Sequence, residues 1–243
     1  MALRSVKPNM NPNPAESAPS SATTVSTAGG TATDMKTQPN ALGQNFRNRR
    51  FQLFAGLCAK LPRPFTLLDV GGTVEFWQDV VAQLGCELTV INIFEQRPAA
   101  GITVLLGDAC DLSRFGDKSF DVVFSNSVIG HVGGWEQQQK MAREVRRVGR
   151  RYFLQTPNQG FPVDWRTLMP FFHWLSPAAQ AWWFQKIPVG RYRRAKTREE
   201  AIHLATRVRN LNRSEMLTMF PDATLVPERV GGFTKSFIVH HGF

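Results

Sequence analysis

The chain has 243 residues, of which 42% are hydrophobic and 11% aromatic, so it can form one sizeable core but is short for two independent ones. No apolar run reaches the roughly 18 to 20 residues that a membrane-spanning helix needs, and no early segment resembles a signal peptide, so we expect a soluble or peripheral protein. The formal charge of +10 favours an anionic partner, such as a phosphate-bearing substrate, a nucleic acid or a membrane surface, although solubility alone would also account for it.

The three cysteines, Cys58, Cys86 and Cys110, form no CxxC pair and have no histidine at metal-ligand spacing. We therefore expect neither a disulfide framework nor a metal site. A reducing, cytoplasmic setting fits this cysteine usage best.

The first 45 residues consist largely of Ser, Thr, Ala, Pro, Asn and Gly, a composition that buries too little apolar surface to fold. We predict a disordered tail over residues 1–45 and a single domain over residues 46–243. Apolar and basic residues interleave at helical spacing over residues 46–61, which predicts an amphipathic helix at the start of the domain.

Short apolar runs then alternate with helical patterns. Strands are predicted at residues 65–70, 88–93, 102–106, 120–125, 152–155, 223–228 and 234–240, with helices at 76–84, 135–148 and 214–220. The last two strands are so close in sequence that they must pair antiparallel. The predicted fold is α/β: a doubly wound, mostly parallel seven-stranded sheet with an antiparallel C-terminal hairpin and an inserted helical cap over about residues 157–200.

The cap combines large aromatic side chains with a basic run. The aromatic residues are Trp165, Phe171, Phe172, Trp174, Trp182, Trp183 and Phe184, and the basic ones are Arg191, Arg193, Arg194, Lys196 and Arg198. Such a surface suits a peripheral membrane contact or a large apolar and anionic acceptor. The alternative is that the aromatic residues fill a core beneath a solvated basic face.

Ligands of open α/β sheets bind beyond the carboxyl ends of the strands, where the strand order reverses. Polar or glycine residues lie at or just after the ends of four predicted strands at this edge. They are Asp69, Gly71 and Gly72 at the first strand, Asn92 at the second, Asp108 and Ala109 at the third, and Ser125 and Asn126 at the fourth.

The sequences GDACDL at 107–112 and FDVV at 120–123, at their distance from the glycine loop, resemble the class I S-adenosylmethionine-dependent methyltransferases, specifically the type 11-like group that acts on small molecules. The resemblance covers about residues 67–158. It implies S-adenosylmethionine as the cofactor, with Gly71 and Gly72 at its methionine and ribose portion, Asn92 at the ribose diol, Asp108 with Ala109 at the adenine, and Ser125 with Asn126 beside the transferred methyl group.

Some positions depart from this family. Thr73 and Glu75 stand where the family has more glycine, and Asn92 stands where it places Asp or Glu. A neutral amide gives a hydrogen bond about half as strong as a charge-assisted one. A non-catalytic binding module built on the same fold therefore stays open as an alternative.

His131 follows the fourth predicted strand, and Gly130 replaces the Glu of the Leu-Glu-His sequence that is common in the family. We regard His131 as the first candidate general base; packing of its ring against the following helix is the alternative. His173 and Asp164 in the cap are further candidates.

Two other functions fit less well. A nicotinamide-dependent dehydrogenase needs GxGxxG after the first strand, which residues 71–76 do not supply. Nucleic-acid methylation would suit a basic surface with interleaved aromatic residues, but residues 126–128 lack the Pro-Pro-aromatic sequence of enzymes that methylate amino groups of nucleic acids.

Overall fold

The computed structural model describes residues 41–243. Most of the tail predicted over residues 1–45 lies outside the described residues. The first helix, α1 (Ala41–Cys58), opens before residue 46, where the domain was predicted to begin. It ends before residue 61, because Pro62 and Pro64 prevent the helix from continuing.

Seven strands form one sheet in the order β3-β2-β1-β4-β5-β7-β6. They are β1 (Phe65–Val70), β2 (Cys86–Asn92), β3 (Ile102–Leu106), β4 (Phe120–Asn126), β5 (Gly149–Pro157), β6 (Thr224–Val230) and β7 (Phe233–His241). The first five pair in parallel, while β7 runs antiparallel to both β5 and β6. The predicted doubly wound sheet with its antiparallel hairpin is confirmed.

The helix predicted over residues 76–84 is wrong in its extent. Two single-turn helices, α2 (Val74–Trp77) and α3 (Val81–Leu84), occupy this region. The break between them accompanies the burial of Trp77, whose indole is fully buried and donates to Asp69. Gly85, at a φ of 61°, ends the second helix. This connection is therefore built to hold one side chain beneath the glycine loop.

The longer helix α4 (Trp135–Val148) lies where the sequence predicts it. Its buried residues, which include Met141 and Val145, join Leu68 and Val123 in one hydrophobic core. A second core forms on the other face, where the ring of Phe54 from α1 lies 4.8 Å from that of Phe124 on β4. Burial on both faces explains why the central strands read as continuous apolar runs.

The segment between β5 and the C-terminal hairpin contains α5 (Pro177–Lys186), α6 (Arg198–Thr206) and α7 (Arg213–Met219). It has a small core of its own, to which Phe172 and Phe184 contribute. By contrast, Trp165, Phe171 and Trp182 are about half exposed. The aromatic residues of the cap thus divide between a core and a surface, while the exact bounds of the cap stay a prediction.

Within residues 41–243, no helix has both the length and the apolar character that crossing a membrane requires.

Candidate functional site

The glycine loop after β1 is packed against its own surroundings. Gly71 has a φ of +80°, and a Cβ on it would lie 2.6 Å from both methyl groups of Val128. A Cβ on Gly72 would lie 1.5 Å from Oδ2 of Asp69. Only glycine fits at these two positions, so the loop backbone comes as close as possible to the ends of β1 and β4.

Asp69 is buried directly beneath this loop. Its Oδ2 accepts a hydrogen bond from the indole N–H of Trp77, whereas Oδ1 has no partner among the described residues. Burial raises the pKa of Asp69 to about 7, although the Trp77 hydrogen bond opposes the shift. The loop therefore covers a carboxyl group with one unsatisfied buried acceptor.

Asn92, at the end of β2, is bonded to the glycine loop. Its Nδ2 donates to the Gly72 carbonyl at 2.8 Å, and its Oδ1 accepts from the Ile93 N–H at 2.8 Å. Gln96 reinforces the loop by donating to the same carbonyl at 3.0 Å and accepting from the Val74 N–H at 2.9 Å. A carboxylate could not donate to the Gly72 carbonyl, which explains structurally why an amide stands at position 92. The predicted role of Asn92 at the ribose diol stays a prediction.

Asp108 and Ala109 follow β3 at the same edge of the sheet. Asp108 is exposed, and its Oδ1 accepts from the Cys110 N–H at 2.9 Å, while Ala109 is buried. Nearby, Ile93 and Leu106 leave 75% and 56% of their surface exposed at the ends of β2 and β3. Exposed apolar side chains beside an exposed carboxylate suit the flat face and polar edge of an aromatic base.

The two site residues predicted at the end of β4 have different surroundings. The Ser125 hydroxyl is fully buried and donates to the Val70 carbonyl at 3.0 Å, so it connects β4 to β1. Asn126 is half-buried and its Oδ1 accepts from Nη1 of Arg50 at 3.3 Å. Of this pair, Asn126 faces a cavity.

This cavity, here termed the cationic cavity, has a volume of about 470 Å³ and adjoins the ends of β4 and β5 through Asn126 and Gln155. Its cationic and histidine lining comprises Arg47, Arg50, His131, Arg166, His173, Arg191 and Lys235. Asp164 is the one acidic residue among the described lining residues.

Two of the cations are neutralised by acidic partners. Arg50 of α1 pairs with Glu228 of β6 at 2.8 Å, and their side chains are only 13% and 8% exposed. Arg166 pairs with Asp164. Lys235 instead places its ammonium 4.0 Å from the centre of the Phe46 ring, and burial together with Arg50 lowers its pKa, opposed by Glu228. The cavity keeps an excess of positive charge.

His131 enters the cationic cavity at the end of a 3-10 turn, Ile129–His131. Ser127 precedes the turn in the left-handed region, at a φ of +62°, and its hydroxyl and N–H both bond to Gln155. Burial in the cavity wall lowers the pKa of His131 to about 4, and Arg166 and Arg207 add to the shift against Asp164. The imidazole is accessible from the cavity and neutral at neutral pH.

Gly130 fills the position where a carboxylate would precede this histidine. Its carbonyl accepts from the Arg209 N–H at 2.9 Å, and a Cβ on Gly130 would lie 3.4 Å from the Arg209 carbonyl. The segment around Arg209 thus takes the space beside the turn. Among residues 41–243, no group of three or more His, Cys, Asp or Glu side chains is arranged to hold a metal ion.

His173 and Asp164, the candidates from the cap, form part of a wall that the cationic cavity shares with a second cavity of about 710 Å³. Nε2 of His173 lies 3.0 Å from the Gln159 carbonyl, and its Nδ1 is buried without a partner in the described part of the chain. Asp164 is engaged by Arg166, so of the two only the histidine has an uncommitted polar atom.

Comparison with known proteins finds one matching family model and a set of similar solved structures. Residues 68–151 match the family model described as a methyltransferase domain. Among curated proteins, none matches the chain.

Three solved structures illustrate the likeness of fold. A Rhodobacter sphaeroides protein that carries the name of the Zn-dependent alcohol dehydrogenases has 11% identity, a TM-score of 0.51, and coverage of 79% of this chain and 88% of its own. An S-adenosylmethionine-dependent methyltransferase from Mesorhizobium loti has 14% identity, a TM-score of 0.49 and coverage of 76% and 94%. The 1,6-didemethyltoxoflavin-N1-methyltransferase of Burkholderia thailandensis, solved with S-adenosylhomocysteine, has 12% identity, a TM-score of 0.47 and 81% coverage of both chains.

Proposed function

We propose that this chain, whose residues 68–151 match the methyltransferase domain model, transfers the methyl group of S-adenosylmethionine to a small anionic or lipid-like acceptor. The observation that carries the proposal is the cationic cavity, which adjoins the ends of β4 and β5 through Asn126 and Gln155. Ligands of open α/β sheets meet at this edge, next to the strand-order reversal between β1 and β4.

The residues at the ends of β1, β2 and β3 fit the cofactor. The glycine loop leaves no room for a Cβ, Asp69 keeps one buried acceptor unsatisfied beneath it, and Ile93 and Leu106 expose apolar surface beside Asp108. We assign Gly71 and Gly72 to the methionine and ribose portion and Asp108 with Ala109 to the adenine. When bound, the cofactor supplies a methyl carbon that its sulfonium has already activated.

The chain's main task in such a reaction is to align the acceptor and exclude water, because methyl transfer is an in-line displacement at an activated carbon. Asn126 and His131 both line the cavity that would hold the acceptor. His131 is neutral at neutral pH because its pKa lies at about 4, so its ring can accept a proton there.

The lining of the cavity supports an acceptor that is negatively charged and partly apolar. Arg47, Arg191 and Lys235 line it together with Phe161 and Leu168. Positive charges that a cavity wall shields from water attract an anion more strongly than the same charges in solvent. We propose that the anionic group lies towards Lys235 and the apolar portion towards Phe161.

Calorimetric titration with S-adenosylmethionine and S-adenosylhomocysteine tests the cofactor part of this proposal. Asp108 and Asp111 form a matched pair, since each is exposed and accepts from the N–H two residues further on. We expect Asp108→Ala to weaken binding at least about tenfold, the usual cost of a lost hydrogen bond to a charged group, and Asp111→Ala to leave it unchanged.

Absence of cofactor binding in the unmodified chain would overturn the enzyme hypothesis. Cofactor binding without transfer to any member of a panel of small-molecule carboxylates, phosphates and anionic lipids would favour the non-catalytic alternative. Transfer to RNA or DNA in place of these acceptors would favour nucleic-acid methylation. A cytoplasmic location stays a prediction.

A further inference from the structure

Residues 161–175, here termed the mouth loop, form a compact loop along one side of the cationic cavity. Val163 and Pro170 form an antiparallel bridge, and the Phe171 N–H donates to the Pro162 carbonyl at 2.7 Å. Gly190 packs so closely against the loop that a Cβ on it would lie 2.2 Å from a backbone carbonyl oxygen. Backbone contacts therefore hold this loop in one shape.

The mouth loop turns large apolar side chains outward. Val163, Trp165, Leu168, Phe171 and Trp174 are between 36% and 55% exposed. Leu168 and Phe171 adopt left-handed backbone conformations, at φ of 54° and 61°, which residues with a Cβ rarely do. A rigid loop that keeps five large apolar side chains in water marks an interaction surface.

The sequence from the mouth loop to the end of the cap is basic. Residues 157–200 contain seven lysines and arginines and three acidic residues, Asp164, Glu199 and Glu200, and Asp164 is paired with Arg166. The guanidinium of Arg191 lies 5.1 Å from the centre of the Trp165 ring. Indole and guanidinium groups are favourable at the boundary between lipid headgroups and acyl chains. The partner must be apolar and negatively charged at the same place.

We infer that the mouth loop docks the protein on an anionic lipid bilayer, with Leu168 and Phe171 inserted at the boundary and the basic segment 191–198 on the headgroups. The aromatic side chains of the mouth loop would also suit nucleic-acid bases, but the exposed aliphatic side chains of Val163 and Leu168 favour a lipid surface. The loop also lines the cationic cavity through Phe161, Val163 and Leu168. Delivery of an acceptor from the bilayer into that cavity rests on the proposed function; the docking surface itself does not.

Co-sedimentation of the full chain with lipid vesicles tests the inference, without cofactor or acceptor present. We expect binding to vesicles that contain phosphatidylglycerol, weak binding to phosphatidylcholine alone, and loss of binding as salt is raised. The double variant Leu168→Asn, Phe171→Asn removes the apolar groups, and asparagine tolerates the left-handed conformation at both positions. We expect its partition to fall at least about tenfold.

Phe94→Asn is the matched control, because Phe94 is 51% exposed just after β2, which β1 and β4 separate from β5 in the sheet. It should bind vesicles as the unmodified chain does. Circular dichroism and thermal melting check that the variants remain folded.

No binding to anionic vesicles, equal binding to neutral ones, or an equal loss in the Phe94 variant would each overturn the inference. Salt-sensitive binding to RNA with none to vesicles would overturn it in favour of a nucleic acid. Because cofactor binding is measured separately by calorimetry, failure of docking and failure of the proposed function are distinguishable.

Discussion

The side-chain amide of Asn92 donates to the main-chain carbonyl of Gly72 at 2.8 Å, which fixes the end of β2 to the glycine loop after β1. The same carbonyl accepts from Gln96. A carboxylate at position 92 would place negative charge against this oxygen with no proton to share. The amide of Asn92, where the family that this chain resembles has an acidic residue, therefore helps to hold this loop in place.

We predict that Asn92→Asp, although it restores the residue type of the resembling family, weakens both the fold and the cofactor site. The free energy of unfolding should fall by about 0.5 to 1.5 kcal/mol, the cost of one lost hydrogen bond, because Gln96 still donates to the Gly72 carbonyl. Urea denaturation and calorimetric titration with S-adenosylhomocysteine measure the two effects. Tighter binding at unchanged stability would instead show that Asn92 is a weakened ribose ligand.

The sheet could be predicted from sequence because its strands are short apolar runs between clear breaks. The predicted strands 65–70 and 102–106 match the observed bounds of β1 and β3. Burial on both faces produces such runs directly, with no need to know which strands are neighbours.

The contacts of the site were harder to foresee, because their partners are distant in sequence. Gln96 bonds to Gly72 across 24 positions, and Arg50 pairs with Glu228 across 178. Neither side chain belongs to a recognisable motif. The break between the short helices after β1 has a nearer cause, the burial of Trp77 against Asp69 eight positions before it, which overrides the local helical pattern.

Asp69 should make the stability of the protein depend on pH in a particular direction. Its pKa is about 7 in the folded chain against an ordinary value of 3.8, so between these values the folded state binds more protons than the unfolded state. The Asp69 contribution to the free energy of unfolding must then fall as the pH rises from about 4 to about 7.

The lowered pKa of His131 contributes with the opposite sign in nearly the same range. The difference between the unmodified chain and Asp69→Asn therefore isolates the Asp69 contribution. We expect denaturant titrations to show the variant gaining relative stability as the pH rises from 4 to 7. A difference that does not change with pH would mean that Asp69 is already ionised in the folded protein at pH 4.

His131→Ala should lower turnover while leaving cofactor affinity unchanged, because the ring lines the cavity proposed for the acceptor. With a pKa of about 4, the imidazole stays neutral throughout the range from pH 5 to 7, so its protonation should not reduce kcat there. Steady-state kinetics across this range and calorimetry with the cofactor measure both parts. Unchanged turnover in the variant would remove His131 as a base.

Lys235 and Arg50 line the same cavity but should respond differently to removal of their charge. Lys235→Met keeps the aliphatic stem and loses an ammonium that lies 4.0 Å from the centre of the Phe46 ring. We expect KM for an anionic acceptor to rise at least about fivefold, roughly 1 kcal/mol of lost attraction, with little change in the melting temperature. Lys186→Met, at an exposed cap position, is the control that should change neither.

Arg50→Met should instead destabilise the fold by about 3 to 5 kcal/mol, because it leaves Glu228 buried without its partner. Adding Glu228→Gln should recover much of that loss, since the neutral amide no longer needs a compensating charge. Chemical denaturation of the single and double variants measures the recovery. If Lys235→Met proved as destabilising as Arg50→Met, both cations would be structural, and the excess positive charge of the cavity would no longer argue for an anionic acceptor.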